Sequence, residues 1–183
     1  MPKEEQRKIT EAVLKLQKKY NSDAFRYLYD TLSPKIYFIC LRYLKNNAEA
    51  EDALHESFVI IYDKIKKFEG KGSFEGWAKK IAVRYCLHLL KKQKISIELK
   101  DNHAPFTEQK EFDSEKIKNK IKQNVNEALQ QLPDGYRTVL NLSIIEGYSH
   151  QEIGKLLQIK EATSRSQLNR AKVALRKLIS ARK

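Results

Sequence analysis

The chain has 183 residues, with 36 Lys and Arg against 23 Asp and Glu, a formal charge of +13 and a pI near 9.6. That excess favours a polyanionic partner, because neutralising phosphates releases counterions and dominates nucleic-acid affinity. No apolar run approaches the roughly 20 residues a spanning helix needs, and Met1 to Thr10 is too charged for a signal peptide, so no membrane contact is expected and the expected compartment is the cytoplasm.

With 6 Gly, 4 Pro and charged residues recurring at helical spacing, the chain reads as all-α; no alternating β-branched stretch between turn signals argues for a sheet. The length suits two small helical domains, expected at 1–94 and 123–183, joined by a flexible linker at 95–122. Cys40 and Cys86 both fall in apolar helical contexts, which fits two buried thiols better than a disulfide.

Residues 4–20 predict a short amphipathic helix with Ile9, Val13 and Leu16 on one side. Asn21 and Ser22 can cap the next run, DAFRYLYDTLSPKIYFICLRYL, which is expected to break or kink near Pro34. Its apolar and aromatic residues read as bundle core. Asn46 and Asn47 can cap a third helix, AEAEDALHESFVIIYDKIKKF, in which Leu54, Phe58, Ile61, Ile65 and Phe68 form a narrow seam. The first half of that helix carries Glu49, Glu51, Asp52 and Glu56 and no base, inside a strongly positive protein.

The sign then reverses, since from Lys64 to Lys94 the only acids are Glu69 and Glu75. The segment FEGKGSF, Phe68 to Phe74, makes a glycine-rich turn containing Lys71. On the helix that follows, Ser73, Trp77, Lys80, Arg84, His88 and Lys91 share one sector, beside an apolar stripe of Phe74, Ala78, Ile81, Ala82, Tyr85 and Leu89. Duplex bases are edge-on, so a ring among cations suits an opened strand; equally, Trp77 can anchor a small core.

Residues 95–122 are polar, contain Pro105 and alternate charge, which fits a linker. Order is expected to resume near Gln123, with Val125, Leu129 and Leu132 leading to a helix start at Pro133 and Asp134. Val139, Leu142 and Ile145 then continue inward, and Gly147 ends that helix.

GYSHQEIGKLLQIKEATSRSQLNRAK, Gly147 to Lys172, has the grammar of a helix-turn-helix. Ser149 followed by Glu152 is a capping box, and Ile153, Leu156 and Leu157 face inward. After a break at Gln158 to Lys160, a second helix repeats Leu168, Ala171, Leu175 and Leu178 along one stripe. Arg165, Ser166, Asn169 and Arg170 lie opposite, a composition suited to base edges in a major groove, with Lys172 adding charge. A two-helix corner with a solvated basic face has the same rhythm.

For the acidic patch three readings stand: a solvated helix N-terminus favoured by the dipole, a dock for a basic protein, or a divalent-metal site built on Glu49, Asp52 and Glu56. The last lacks supporting His or Cys ligands, so no metal or other cofactor is expected. Nothing in the chain builds a nucleophile, oxyanion hole or phosphate loop, and no catalytic residue is assigned.

Taken in order, these segments resemble the two-domain bacterial sigma factors of the extracytoplasmic-function (ECF) type, non-catalytic initiation subunits of RNA polymerase. AEDALHESFVIIYDKI resembles the helix that binds core polymerase, FEGKGSFEGWAKKIAVRYCLHLLKK the promoter-melting region, and ALQQLPDGYRTVLNLSIIEGYSHQEIGKLLQIKEATSRSQLNRAKVALRKL the C-terminal helix-turn-helix, so that the likeness runs from about Asp23 to Leu178 with the linker unmatched. The resemblance implies sigma region 2 and region 4 domains. It implies that Glu51 and Asp52, with Glu56 and neighbouring Glu49, dock on a clamp of the polymerase largest subunit. It places Phe68, Lys71, Ser73 and Phe74, with Trp77, Lys80, Arg84 and Lys91 behind them, at the melted minus-ten element, where the loop captures a flipped non-template base. Arg165, Ser166, Asn169, Arg170 and Lys172 fall to the duplex minus-thirty-five element, and whether an anti-sigma factor is a further partner stays open. The chain departs from the family's usual residues at His55, Arg84, His88, Ala162 and Gln167. Two rival readings are a stand-alone helix-turn-helix regulator, which would bind duplex DNA without polymerase, and a metal-dependent nuclease.

Overall fold

The computed structural model describes residues 3–97 and 127–180, with side chains described over 3–92 and 127–180. The expected linker beyond residue 97 lies outside the described residues, as do Gln123 and Val125. Every regular element among the described residues is helical, as the composition predicts. The chain divides into two compact units, Met1–Lys92 and Gln93–Lys183.

In the first unit, helix α1 (Lys3–Lys18) buries Ile9, Ala12, Val13 and Leu16, the face its spacing predicts. Helix α2 (Ser22–Leu44) starts where the Asn21 side chain accepts the Ala24 N–H at 2.8 Å. It runs through Pro34 without the expected break. A proline inside a helix costs about 3 kcal/mol, but each fully buried aliphatic side chain contributes roughly 1.5–3 kcal/mol. Leu28, Leu32, Ile36 and Ile39, all buried on either side of the exposed proline, outweigh it.

Asn46 caps helix α3 (Asn47–Lys64), its Oδ1 accepting the N–H of Ala48 at 2.8 Å and of Glu49 at 3.4 Å. Leu54, Phe58 and Ile61 are buried as the seam requires. The helix then tightens into a 3-10 turn, Ile65–Lys67, so Phe68 leaves it half-buried on a loop instead of continuing the seam. Ser73 caps helix α4 (Phe74–Ile97), its hydroxyl accepting the Gly76 N–H at 3.1 Å. This helix buries Phe74, Ala78, Ala82, Val83, Cys86 and Leu90 while Ile81, Tyr85 and Leu89 are half-buried, so the core-facing stripe is rotated from the predicted one. Cys40 and Cys86 are buried free thiols. A hydrogen bond between them, together with burial, pushes the Cys86 thiol up and keeps it protonated.

In the second unit a helical turn at 127–130 precedes helix α5 (Asp134–Leu140), which opens after Pro133 as expected. Arg137 of α5 is only 1 % exposed, paired with Asp134 at 3.0 Å and donating to the Leu132 carbonyl at 3.1 Å. A buried guanidinium needs such partners. A π turn, Asn141–Ile145, follows, closed by the Glu146 N–H on the Asn141 carbonyl at 3.0 Å. Its extra residue swings the side chains round, so Ile145, expected inside, is 43 % exposed while Val139 and Leu142 are buried. Gly147, at φ +75, turns the chain into helix α6 (His150–Leu157), and helix α7 (Glu161–Ser180) completes the unit.

Candidate interaction surfaces

Three surfaces come from residues the sequence singles out. On α3, the cap at Asn46 fixes the helix start, and Glu51, Asp52, His55 and Glu56 project into solvent. Among the described residues none of the three carboxylates forms an ion pair, so their negative charge faces outward uncompensated. Glu49 is half-buried at the first turn. The charges are felt locally: burial and then Glu51 raise the Tyr37 hydroxyl, and burial with Glu56 and Asp52 raises that of Tyr85. Among the described residues no three His, Cys, Asp or Glu side chains converge as a metal site would require. The exposed face is therefore suited to a positively charged protein surface.

The second surface is built from the 68–73 loop and α4. Gly70 and Gly72 take positive φ, +75 and +94, with nothing within 4 Å of where a Cβ would sit. The Phe68 ring lies 5.2 Å from Phe74 and 5.5 Å from Trp77, and Phe74 and Trp77 are 5.3 Å apart. Phe74, expected among the strand contacts, is 2 % exposed and belongs to the core, because the first turn of α4 directs it inward under the other two rings. Trp77 and Phe68 are half-buried, so each rests on the core and keeps part of its surface open.

Lys80, Arg84, His88 and Lys91 are exposed along α4, with Ser73 and Lys71 exposed before it. Lys71 meets Glu69 at 2.7 Å, but both are solvated, and such a pair holds a lysine by no more than about 1 kcal/mol. Burial pushes the Glu75 carboxyl up, yet hydrogen bonds from Lys79 at 2.6 Å and Lys35 at 2.9 Å hold it below the usual range. With that acid occupied by two lysines, Lys80, Arg84 and Lys91 dominate the outward field.

The third surface depends on how tightly α6 and α7 are set. The Ser149 N–H donates to Glu152 at 2.8 Å while the Glu152 N–H donates back to the Ser149 hydroxyl at 3.3 Å, completing the predicted capping box. Gln158 at φ +56 reverses the chain, as the predicted break requires. A Cβ on Gly154 would stand 2.8 Å from the Ile159 carbonyl oxygen, so only glycine allows this approach. His150 Nδ1 and the Ser164 hydroxyl, 2.9 Å apart, join the two helices.

Ser164, Leu168 and Ala171 bury one face of α7, with Leu175 and Leu178 half-buried beyond them. Arg165, Ser166, Asn169, Arg170 and Lys172 are exposed, as predicted for a reading face. Arg165 is held along the helix by Glu161, and the Ser166 hydroxyl donates to the Thr163 carbonyl at 3.0 Å, leaving its acceptor lone pairs outward. Sequence patterning missed Gly154, His150 and Ser164. The capping box locates the turn, but nothing local links His150 to a partner fourteen positions on.

Two family models match the chain: Sigma-70 region 2 over residues 28–95 and Sigma-70, region 4 over residues 122–175. The chain is 31 % identical over 175 residues to the ECF RNA polymerase sigma factor SigW of Bacillus subtilis, covering 90 % of this chain and 93 % of that protein. It is 28 % identical over 155 residues to the RNA polymerase sigma-H factor of Pseudomonas aeruginosa, covering 79 % and 80 %. In fold it resembles the sigma factor RpoE of Bartonella quintana, solved with the anti-sigma factor NepR, at a TM-score of 0.60 and 16 % identity over 85 % of this chain and 96 % of that one. It also resembles CnrH, solved with the cytosolic domain of CnrY, at a TM-score of 0.53 and 17 % identity over 97 % of each.

Proposed function

Because the chain belongs to the ECF-type RNA polymerase sigma factors, which bind core polymerase and direct promoter recognition and strand opening in initiation, we propose how its surfaces share that task. Glu51, Asp52 and Glu56, with Glu49 at their edge, dock on the clamp of the largest polymerase subunit. Phe68, Lys71, Ser73, Trp77, Lys80, Arg84 and Lys91 hold the melted minus-ten strand, and Phe74 supports the two rings from beneath. Arg165, Ser166, Asn169, Arg170 and Lys172 read the duplex minus-thirty-five element.

The physical logic is one of sign and shape. A protein of charge +13 is drawn to DNA over most of its surface, so a dock for another protein must be marked by the opposite charge. Stacking on Phe68 and Trp77 discriminates opened from paired DNA, because only an unstacked base offers its face. Arg and Asn on α7 suit duplex, where edges are displayed. The protein makes and breaks no covalent bond itself; it places the promoter in the polymerase, in the cytoplasm where that enzyme works. An anti-sigma factor, of the kind solved with the Bartonella quintana RpoE, would act by covering these surfaces.

The observation that carries the proposal is the outward, unpaired acidity of Glu51, Asp52 and Glu56. Replacing Asp52 and Glu56 together by Lys should abolish co-purification with core polymerase while circular dichroism stays that of the wild type. Undiminished recovery of polymerase would remove α3 as the dock.

A further inference from the structure

We infer that Gln17 is a positioning residue for strand capture, tying α1 to the entry of the 68–73 loop so that Phe68 is set against Trp77 before DNA arrives. The inference rests on the strand-binding role proposed for that loop. The Gln17 amide nitrogen donates to the Ile65 carbonyl and to the Phe68 carbonyl, both at 2.9 Å, across 48 and 51 residues of sequence. A carboxamide offers two N–H donors, and here both are directed to backbone carbonyls that precede the glycine turn.

The loop has few other constraints at this end. The Phe68 N–H closes the 3-10 turn on the Ile65 carbonyl at 3.1 Å, so Gln17 and Phe68 converge on one acceptor. Beyond Phe68, Glu69, Gly70, Lys71 and Gly72 are all exposed, and the glycines touch nothing with a Cβ. At the exit, Ser73 caps α4, and Lys35 bridges Glu75 of α4 at 2.9 Å to Glu5 of α1 at 3.6 Å. Helix α1 thus reaches both ends of the loop. It precedes residue 28, where the Sigma-70 region 2 match begins, so Gln17 itself lies outside the matched stretch while the two carbonyls it holds lie within it.

Fixing the Phe68 backbone removes freedom that the strand would otherwise have to quench on binding, which strengthens capture without adding a contact. Gln17→Glu keeps the shape but sets carboxylate oxygens against two carbonyls; Gln17→Ala removes the donors without adding charge. In holoenzyme reconstituted with core polymerase, either variant should bind a single-stranded minus-ten non-template oligonucleotide about tenfold more weakly, the scale of one to two lost hydrogen bonds. Affinity for core polymerase and for a minus-thirty-five duplex should not change. Emission of Trp77, the one tryptophan of the chain, should shift as Phe68 leaves it.

A general loss of stability would instead lower polymerase affinity alongside strand affinity, and that result overturns the inference. So does wild-type strand affinity in both Gln17 variants while Lys71→Ala with Trp77→Ala weakens the oligonucleotide, an outcome that leaves the loop's proposed role standing. If the Lys71 and Trp77 variant also binds normally, the loop is not the strand site and both ideas fall.

Discussion

Two connectors in this protein lead into the helices proposed to face DNA, and they are built in opposite ways. Between the Ile65–Lys67 turn and α4 the chain passes Gly70 and Gly72 at positive φ with open space around both. Between α6 and α7 it passes Gln158 at φ +56, with Gly154 closed against the Ile159 carbonyl and His150 joined to Ser164. Duplex DNA presents its major groove ready-made, so a reading helix gains by being held at one angle. An extruded base must be received by a surface that has room for it. The filled connector serves the first need and the open one the second, with the open loop fixed only where it enters and leaves.

Substitutions at the connectors test that contrast. Gly154→Val should have the largest effect, about 3 kcal/mol, the upper part of the overpacking range, since its Cβ meets a backbone oxygen that cannot turn away. Trp77 is the chain's one tryptophan and lies in the first unit, so thermal unfolding followed by circular dichroism should gain an early phase while the tryptophan transition stays in place. Coincident shifts in both signals would break the comparison.

Gly72→Ala should cost less, about 1–2 kcal/mol, because a left-handed backbone strains any L side chain but no neighbour is struck. Here the tryptophan transition should move, and a cost as large as that of Gly154→Val would mean the loop is as filled as the turn. Ser149→Ala should cost about 1 kcal/mol by removing the helix cap. It sharpens the contrast if minus-thirty-five binding weakens while minus-ten strand binding by the same holoenzyme is unchanged.

How much was legible from sequence follows the range of each interaction. Caps and turns are local, and Asn21, Asn46, Ser149 with Glu152, and the break before α7 stand where residue chemistry puts them. Periodicity gives the face of a helix but not the angle at which neighbours meet it. For that reason α4 buries Cys86 and Leu90 more fully than the predicted Tyr85 and Leu89, while Phe74 is buried as its place in the apolar stripe predicts, although the resemblance set it among the strand contacts. The π turn that exposes Ile145 inserts a residue no spacing rule anticipates. Pro34 was overruled by the burial of the helix around it. The links invisible to pattern are those across the fold: Gln17 to Phe68, Lys35 to Glu5 and Glu75, and His150 to Ser164.

The junction of α2 and α3 has a mechanical corollary. Only Lys45 and Asn46 separate Leu44 from Asn47, a tether of at most roughly 10 Å, turned by Lys45 at φ +62 and locked by the Asn46 cap. Any load applied to the carboxylates of α3 is therefore delivered to α2 as to a stiff lever, and Lys35 on that lever grips Glu75 at the root of α4. On the proposed assignment, a polymerase that seizes the one helix takes the proposed strand-binding end in tow.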